Sequence, residues 1–230
     1  MFPDILLYGN DGSCSFVPRA LLNELEIPYQ IVNLQYEAGK MEAADGSLSN
    51  EEYKRINPSG YVPALGIGAT AITELPAICA FIARLAPERG VLGTNPIGQA
   101  KVDEWMAWLS GTLHGYCFAM MWAPRRFTED QDAVESIREQ GQKVVLECYE
   151  RIECSMSGGS AVGDSLTVVD FALYMFGRWG TLRIGLAKDH MQNNYPKYTQ
   201  LMREMESRAS VRRTLDEHSL AVVFGRGGEV

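Results

Sequence analysis

Histidine is scarce in this chain of 230 residues, which holds three: His114, His190 and His218. They have no metal-ligand spacing, and no Cys or carboxylate completes a set, so no metal site is expected. The five cysteines are odd in number, scattered and without a C-x-x-C pair. That argues against a disulfide framework and for free thiols in a reducing, cytoplasmic compartment. Basic residues are outnumbered, 21 Lys and Arg against 29 Asp and Glu, for a net charge of −8 and a pI near 5.0. Nucleic acid and anionic membrane both reward clustered cations. The basic pairs here, Arg125–Arg126 and Arg212–Arg213, are short, so neither partner is expected. No apolar run approaches the roughly 20 residues of a membrane span. The start, MFPDILLYG, lacks a basic region followed by a long apolar one, so no secretory signal is expected. No internal repeat is evident.

What is present is ample apolar material: a hydrophobic content of 46% supports a full core with no staple. The organising stretch is residues 5–34, ILLYGNDGSCSFVPRALLNELEIPYQIVNL. It reads as a strand (Ile5 to Tyr8), a small-residue loop holding Ser13, Cys14 and Ser15, and a helix from Phe16 to about Glu26. A strand from Tyr29 to Leu34 follows, which makes a βαβ unit with a parallel pair. Ser15 suits an N-cap and Pro18 a first turn. A nucleophile-sized residue between a strand and a helix start sits where N–H groups point outward and negative charge is favoured.

Residues 37–50 are rich in Gly, Ser and acid and read as a surface insertion ahead of a helix over 51–56. Asn57-Pro58-Ser59-Gly60 is a turn, and Tyr61-Val62-Pro63-Ala64-Leu65 a short buried strand. Its proline implies either an edge position or a cis bond that turns the Val62 backbone toward a ligand. A brief strand near Ala71–Ile72 precedes a helix over 76–85, with Ile78, Phe81, Ile82 and Leu85 at helical spacing. The segment APERGVLGTNPIG is Pro/Gly-rich and aperiodic, a linker. Beyond it the pattern is helical only, over about 99–121, 129–155, 168–186 and 196–209. Thr167 with Asp170 three residues on is a capping box, with Leu166 and Phe171 placed for a hydrophobic staple.

Taken in order, GSCSFVPRALL, NPSGYVPAL, ITELPAICAFIA, the linker, WMAWLSGTLHGY, and GDSLTVVDFAL followed by SRASVRRTL resemble the glutathione transferase superfamily across nearly the whole chain. The resemblance implies an α/β thioredoxin-like N-terminal domain (1–86), a linker (87–97) and an all-α helical C-terminal domain (98–230). The GSCS loop is similar to the zeta class (maleylacetoacetate isomerases) and the cysteine-bearing beta class. The length and the acidic insertion imply a diverged member of fungal secondary-metabolism type.

The resemblance further implies glutathione as cofactor, a hydrophobic electrophilic second substrate and a homodimer. Candidates for activating the glutathione thiol are Ser13 and Ser15, with Cys14 as neighbouring donor or mixed-disulfide thiol and Tyr8 as the rival. Val62 and Pro63 would clip the tripeptide backbone as an added strand. Glu74 would face its free ammonium and Lys40 its glycyl carboxylate. The family usually places Ser after this acid; here Leu75 followed by Pro76 stands instead, removing a hydroxyl donor. Trp108, His114 and Met121, on a helical stripe of aromatic and Met residues that is mostly core, are the expected contacts of the apolar substrate.

Three functions follow. The first adds glutathione thiolate to an electrophilic carbon, ending in conjugation or, by addition, rotation and elimination, in cis–trans isomerisation. The second is one-cysteine, glutaredoxin-like thiol transfer through Cys14. The third is a non-catalytic binding or dimerisation module, which Leu75 favours and the Ser-Cys-Ser loop opposes.

Overall fold

A computed structural model of the chain describes residues 2–156 and 159–225. It divides into two compact units, residues 1–92 with 206–222, and residues 93–205 with 223–230. The division falls inside the expected linker, between Leu92 and Gly93. Residues 206–222, however, belong to the first unit, whereas the sequence assigned them to the helical domain. The linker is itself ordered: Pro87–Arg89 form a 3-10 turn, and the Asn95 side chain accepts the Gly98 N–H at 2.9 Å to cap the next helix.

The first unit holds a five-stranded sheet in the order β3-β2-β1-β4-β5. Its elements run β1 (Ile5–Gly9), α1 (Phe16–Glu24), β2 (Gln30–Glu37), β3 (Lys40–Ala43), α2 (Asn50–Ile56), β4 (Ala64–Ile67), β5 (Thr70–Thr73) and α3 (Leu75–Arg84). β1 and β2 are parallel, as the βαβ reading requires, and every other neighbouring pair is antiparallel. The expected surface insertion is thus partly a hairpin. Ala38 and Gly39 both take positive φ, the two-residue geometry that suits a right-twisted ribbon. β3 escaped notice because it alternates over four residues only, with Met41 and Ala43 inward and Lys40 and Glu42 outward.

One sheet face buries Tyr8, Leu34, Met41, Ala43 and Ala64 against Tyr53 of α2. Full burial of such side chains stabilises by about 1.5–3 kcal/mol each. Across the other face α1 packs on α3 and on α10 (Ala209–Glu217), a helix the sequence did not announce. α10 is apolar on a thin stripe (Val211, Leu215), and polar bonds secure it. Arg19 Nε donates to Glu217 at 2.9 Å, Asn23 donates to Thr214 at 2.9 Å, and Glu24 accepts from both Arg208 and the Ser210 hydroxyl at 2.6 Å.

The second unit is built of helices: α4 (Pro96–Trp108), a π-helical stretch (Leu109–Phe118), α5 (Ala119–Trp122), α6 (Val134–Ser155), α7 (Val168–Leu182), α8 (Lys188–Asn194) and most of α9 (Pro196–Ser207). The helix expected over 99–121 is therefore interrupted in its wider-wound middle. α7 is buried on all sides from Val168 to Gly180, the mark of a central helix. Its start is held as expected: the Asp170 carboxylate accepts the Thr167 N–H at 2.6 Å and the Ala161 N–H at 2.8 Å. Gly180 lets α7 approach α6, since a Cβ there would strike the Tyr149 ring.

Burial alone would raise the Glu24 carboxyl, but the bonds from Arg208 and Ser210 and the charges of Arg208 and Arg89 hold it below its usual value of 4.5. A carboxyl held down in the folded state contributes stability above its unfolded pKa. That contribution is lost as pH falls through the lower folded value. Glu24→Gln is expected to destabilise the protein by about 1–3 kcal/mol at neutral pH. The deficit should shrink at an acid pH below the carboxyl's usual value, where the wild-type carboxyl begins to take up its proton too. Denaturant titrations of both proteins at the two pH values check this; an equal deficit at both would contradict it.

Candidate active site

The sheet register brings three separate segments to one end of the first unit. Tyr8 near the end of β1 pairs with Ala64 at the start of β4, and Ala64 pairs with Thr73 at the end of β5. The loop after β1, the Val62–Pro63 step and Glu74 at the head of α3 therefore emerge side by side. The Val62–Pro63 bond is cis. Cys14 Sγ donates to the Val62 carbonyl at 3.3 Å, so the loop and the proline step are in contact.

Within the loop the three candidate residues differ sharply. Ser15 is 1% exposed and does not cap α1; its backbone is already helical (φ −61°, ψ −18°) and its side chain makes no cap bond. Its hydroxyl instead turns inward, accepting the Asn10 N–H at 3.3 Å and lying 2.9 Å from the Ser13 hydroxyl. Gly9 is needed beneath it, since a Cβ there would come within 3.0 Å of Ser15 Cβ. Cys14 is 5% exposed. Ser13 is the partly exposed member. Its hydroxyl accepts the Ser15 N–H at 3.1 Å and donates to the Asn10 carbonyl at 2.6 Å.

Tyr8 lies in the core cluster with its ring centroid 5.8 Å from that of Tyr53, and burial pushes its phenol up. Glu74 is exposed and holds φ +70°, ψ 122°, a conformation rarely tolerated by a residue with a Cβ. Such strain persists only where the surroundings enforce it, and it clusters at ligand clamps. Leu75 is buried, so its side chain offers the site nothing polar. Lys40 is exposed at the tip of the β2–β3 hairpin, on an outer strand that β2 separates from β1.

Two residues the sequence did not single out hold the proline step. Tyr53 Oη donates to the Tyr61 carbonyl at 2.7 Å, and Asn57 Nδ2 donates to the same oxygen at 2.6 Å. Asn57 Oδ1 in turn accepts the Ser59 N–H at 3.1 Å and the Ser59 hydroxyl at 2.7 Å. The signal was present in the Asn-Pro-Ser-Gly turn, where a leading Asn commonly bonds two residues on; its second bond, to Tyr61, was not readable. The Val62 N–H makes no hydrogen bond among the described residues. The Val62 N–H and C=O beside a cis proline at the head of β4, a strained acid one strand away and a partly exposed hydroxyl fit an extended peptide that carries an ammonium and a thiol.

In the second unit the three expected substrate contacts fall in different surroundings. Trp108 lies under the Arg151 guanidinium, 4.2 Å from its ring centroid, and edge-on to Trp105. These line a cavity of about 280 Å³ with Lys101 and Glu104. His114, in the π-helical stretch, packs on Phe176 and Trp179 instead. Burial, helped by the Arg126 charge, lowers its pKa to about 4, so it is neutral at physiological pH. Met121 packs against α6 where Gly141 lets the helices close; a Cβ there would meet Met121 Cγ at 2.9 Å. The next residue, Trp122, stacks on Phe118 and meets Trp179 edge-on, extending the aromatic cluster that holds His114. No group of three or more His, Cys, Asp or Glu among the described residues could hold a metal.

A mixed sheet with a cis proline at the head of its fourth strand, followed by a helical unit, is the architecture of a thioredoxin-like domain joined to an all-helical one. Residues 12–85 match the family described as Glutathione S-transferase, N-terminal domain, and residues 113–217 match Glutathione S-transferase, C-terminal domain. The chain belongs to the glutathione transferase superfamily. Among curated proteins it is 26% identical to Glutathione S-transferase GST-4.5 of Xanthomonas campestris, over 75% of this chain and 81% of that one. It is also 26% identical to Probable maleylacetoacetate isomerase 2 of Drosophila melanogaster, over 70% and 67%. Among solved structures, a glutathione transferase homologue from Sulfitobacter with bound glutathione superposes with a TM-score of 0.81 at 26% identity, covering 95% of this chain and all of that one.

Asn57→Ala removes three side-chain bonds from a residue 5% exposed and is expected to destabilise the protein by about 1–3 kcal/mol. Asn57→Asp, which keeps the acceptor for Ser59 but cannot donate to Tyr61, should fail to restore it. Equilibrium denaturation of the three proteins decides; full recovery in the Asp variant would contradict the role given to the Tyr61 bond.

Proposed function

We propose that the protein binds glutathione at the end of the first unit's sheet and adds its thiolate to an electrophilic carbon of an apolar small molecule. The observation that carries the reading is the convergence of Ser13, the Val62 backbone and Glu74 at one sheet end in a chain of this family. The Val62 N–H and C=O pair with the cysteinyl part of the tripeptide, and the Glu74 carboxylate takes the γ-glutamyl ammonium. The Ser13 hydroxyl turns its proton from the Asn10 carbonyl to the sulfur. It then gives a charge-assisted bond to the thiolate, stronger than the neutral one it replaces. Exposure favours Ser13 for this role, with Cys14 and Ser15 shaping the loop and Tyr8 supporting it from the core.

The thiolate forms an S–C bond as the electron pair of a conjugated double bond moves onto its activating group. If that anion is protonated, or a leaving group departs, the product is a conjugate. If the single bond now present rotates and the thiolate is expelled, the double bond re-forms in the other geometry and glutathione is recovered. The maleylacetoacetate isomerase relative supports isomerisation, and the Xanthomonas relative supports transfer. We further propose a homodimer working in a cytoplasmic, reducing compartment, in keeping with five cysteines that form no disulfide among the described residues.

Mass balance separates the two outcomes. Turnover of a model electrophile gives a glutathione adduct in mass spectrometry, whereas turnover of a conjugated cis-alkene gives a product of unchanged mass. Ser13→Ala is expected to lower kcat/KM by about 100-fold, the usual effect of losing one donor to a developing or held anion. Cys14→Ser should retain most activity. Loss of all activity in the Cys14 variant, with Ser13→Ala unaffected, would instead establish one-cysteine thiol transfer.

A further inference from the structure

We infer that His218, at the C-terminal end of α10, is a positioning residue for the Ser13–Ser15 loop, an assignment that rests on the glutathione reading above. The family match to the C-terminal domain ends at residue 217, one position short of it. His218 is 3% exposed. Its Nδ1 lies 3.4 Å from the Gly12 N–H and 3.3 Å from Asp11 Oδ1, and its ring meets Phe16 at 5.7 Å, nearly edge-on. It therefore touches the two residues before Ser13 and the first residue of α1. Gly12, at φ +72°, is the left-handed residue from which the loop turns toward Ser13.

The position of His218 is in turn fixed by α10, whose polar bonds to α1 are described above. Among the described residues, Asp11 on the loop is a charged group in contact with it, and Arg19 on α1 and, through it, Glu217 on α10 are linked to Asp11. Arg19 Nη1 stands 3.9 Å from Asp11, and Arg19 Nε bonds Glu217. A neutral imidazole accepts the Gly12 N–H on Nδ1. A protonated one can accept nothing there and donates to Asp11 instead. The two protonation states thus hold the loop by different atoms, and only the neutral state holds Gly12. Ser13 follows directly, so the hold on Gly12 helps to place the backbone that carries its hydroxyl.

The test compares His218→Leu, which removes the acceptor, with His218→Asn, whose Oδ1 stands close to where Nδ1 was. In His218→Leu the amide hydrogens of residues 12–14 should lose about tenfold in exchange protection, and Cys14 should be alkylated faster, both read by peptide mass spectrometry. The thiolate absorbance of bound glutathione should titrate about one pH unit higher, with glutathione KM changed less than about threefold. His218→Asn should restore all three. Should His218→Leu fail to fold, the wild type and His218→Asn still decide the matter. Protection at Gly12 should fall in the wild type, corrected for intrinsic rates, once acidification protonates the imidazole, and stay level in the Asn variant. Unchanged protection in His218→Leu, or parallel pH profiles in wild type and His218→Asn, would overturn the assignment. If the wild type takes up no glutathione, the catalytic reading fails by itself, and exchange and alkylation still judge His218.

Discussion

The antiparallel pairing of β1 with β4 is the constraint on which the site depends. Slipping that ladder by one residue would turn Tyr8 and Ala64 to opposite faces and carry the proline step away from the loop after β1. Because the register is fixed by what is buried on each face, the packing of Tyr8 against Tyr53 helps to set the place of Cys14 beside Val62. Core and site are in this sense one arrangement. The side chains that fill the sheet's lower face decide which backbone atoms stand at its rim.

Around the rim, hydrogen bonds to main-chain atoms hold the shape. Asn10 reaches back to the Leu34 carbonyl at 2.7 Å, the Ser13 and Ser15 hydroxyls satisfy the loop's own amides, and Tyr53 and Asn57 converge on the Tyr61 carbonyl. Each such bond contributes only about 1 kcal/mol net, yet leaving its buried partner unmade costs more. A loop built this way tolerates little change at its small polar residues, while leaving Ser13 partly exposed.

The parts of the fold legible in the sequence were those with a local cause. The βαβ start, the Thr167–Asp170 box and the linker each declare themselves within a few residues. The Val62–Pro63 step was readable as a pair of alternatives because a proline in an apolar run has few places to sit. β3 and α10 were not readable, for opposite reasons. β3 is too short to show a period, and α10 is secured by polar pairs to residues nearly two hundred positions away, which no window detects. Ser15 misled for a related reason. Its type and place suit a cap, but an inward bond to Asn10 competes with capping, and only the fold decides between them. Exposure likewise ranks Ser13 above Cys14 and Ser15, a distinction three consecutive small residues cannot carry.

That α10 completes the first unit has a consequence for how the chain is made. Domains usually fold as they leave the ribosome, amino end first. Here the sheet and its first three helices emerge early, but the helix that covers α1 comes only after more than a hundred intervening residues of the second unit. Until then the polar groups of Arg19, Asn23 and Glu24 have no α10 to bind, and the nascent sheet waits with one flank bare. The first unit, though most of it precedes the second in the chain, is therefore finished only after most of the second.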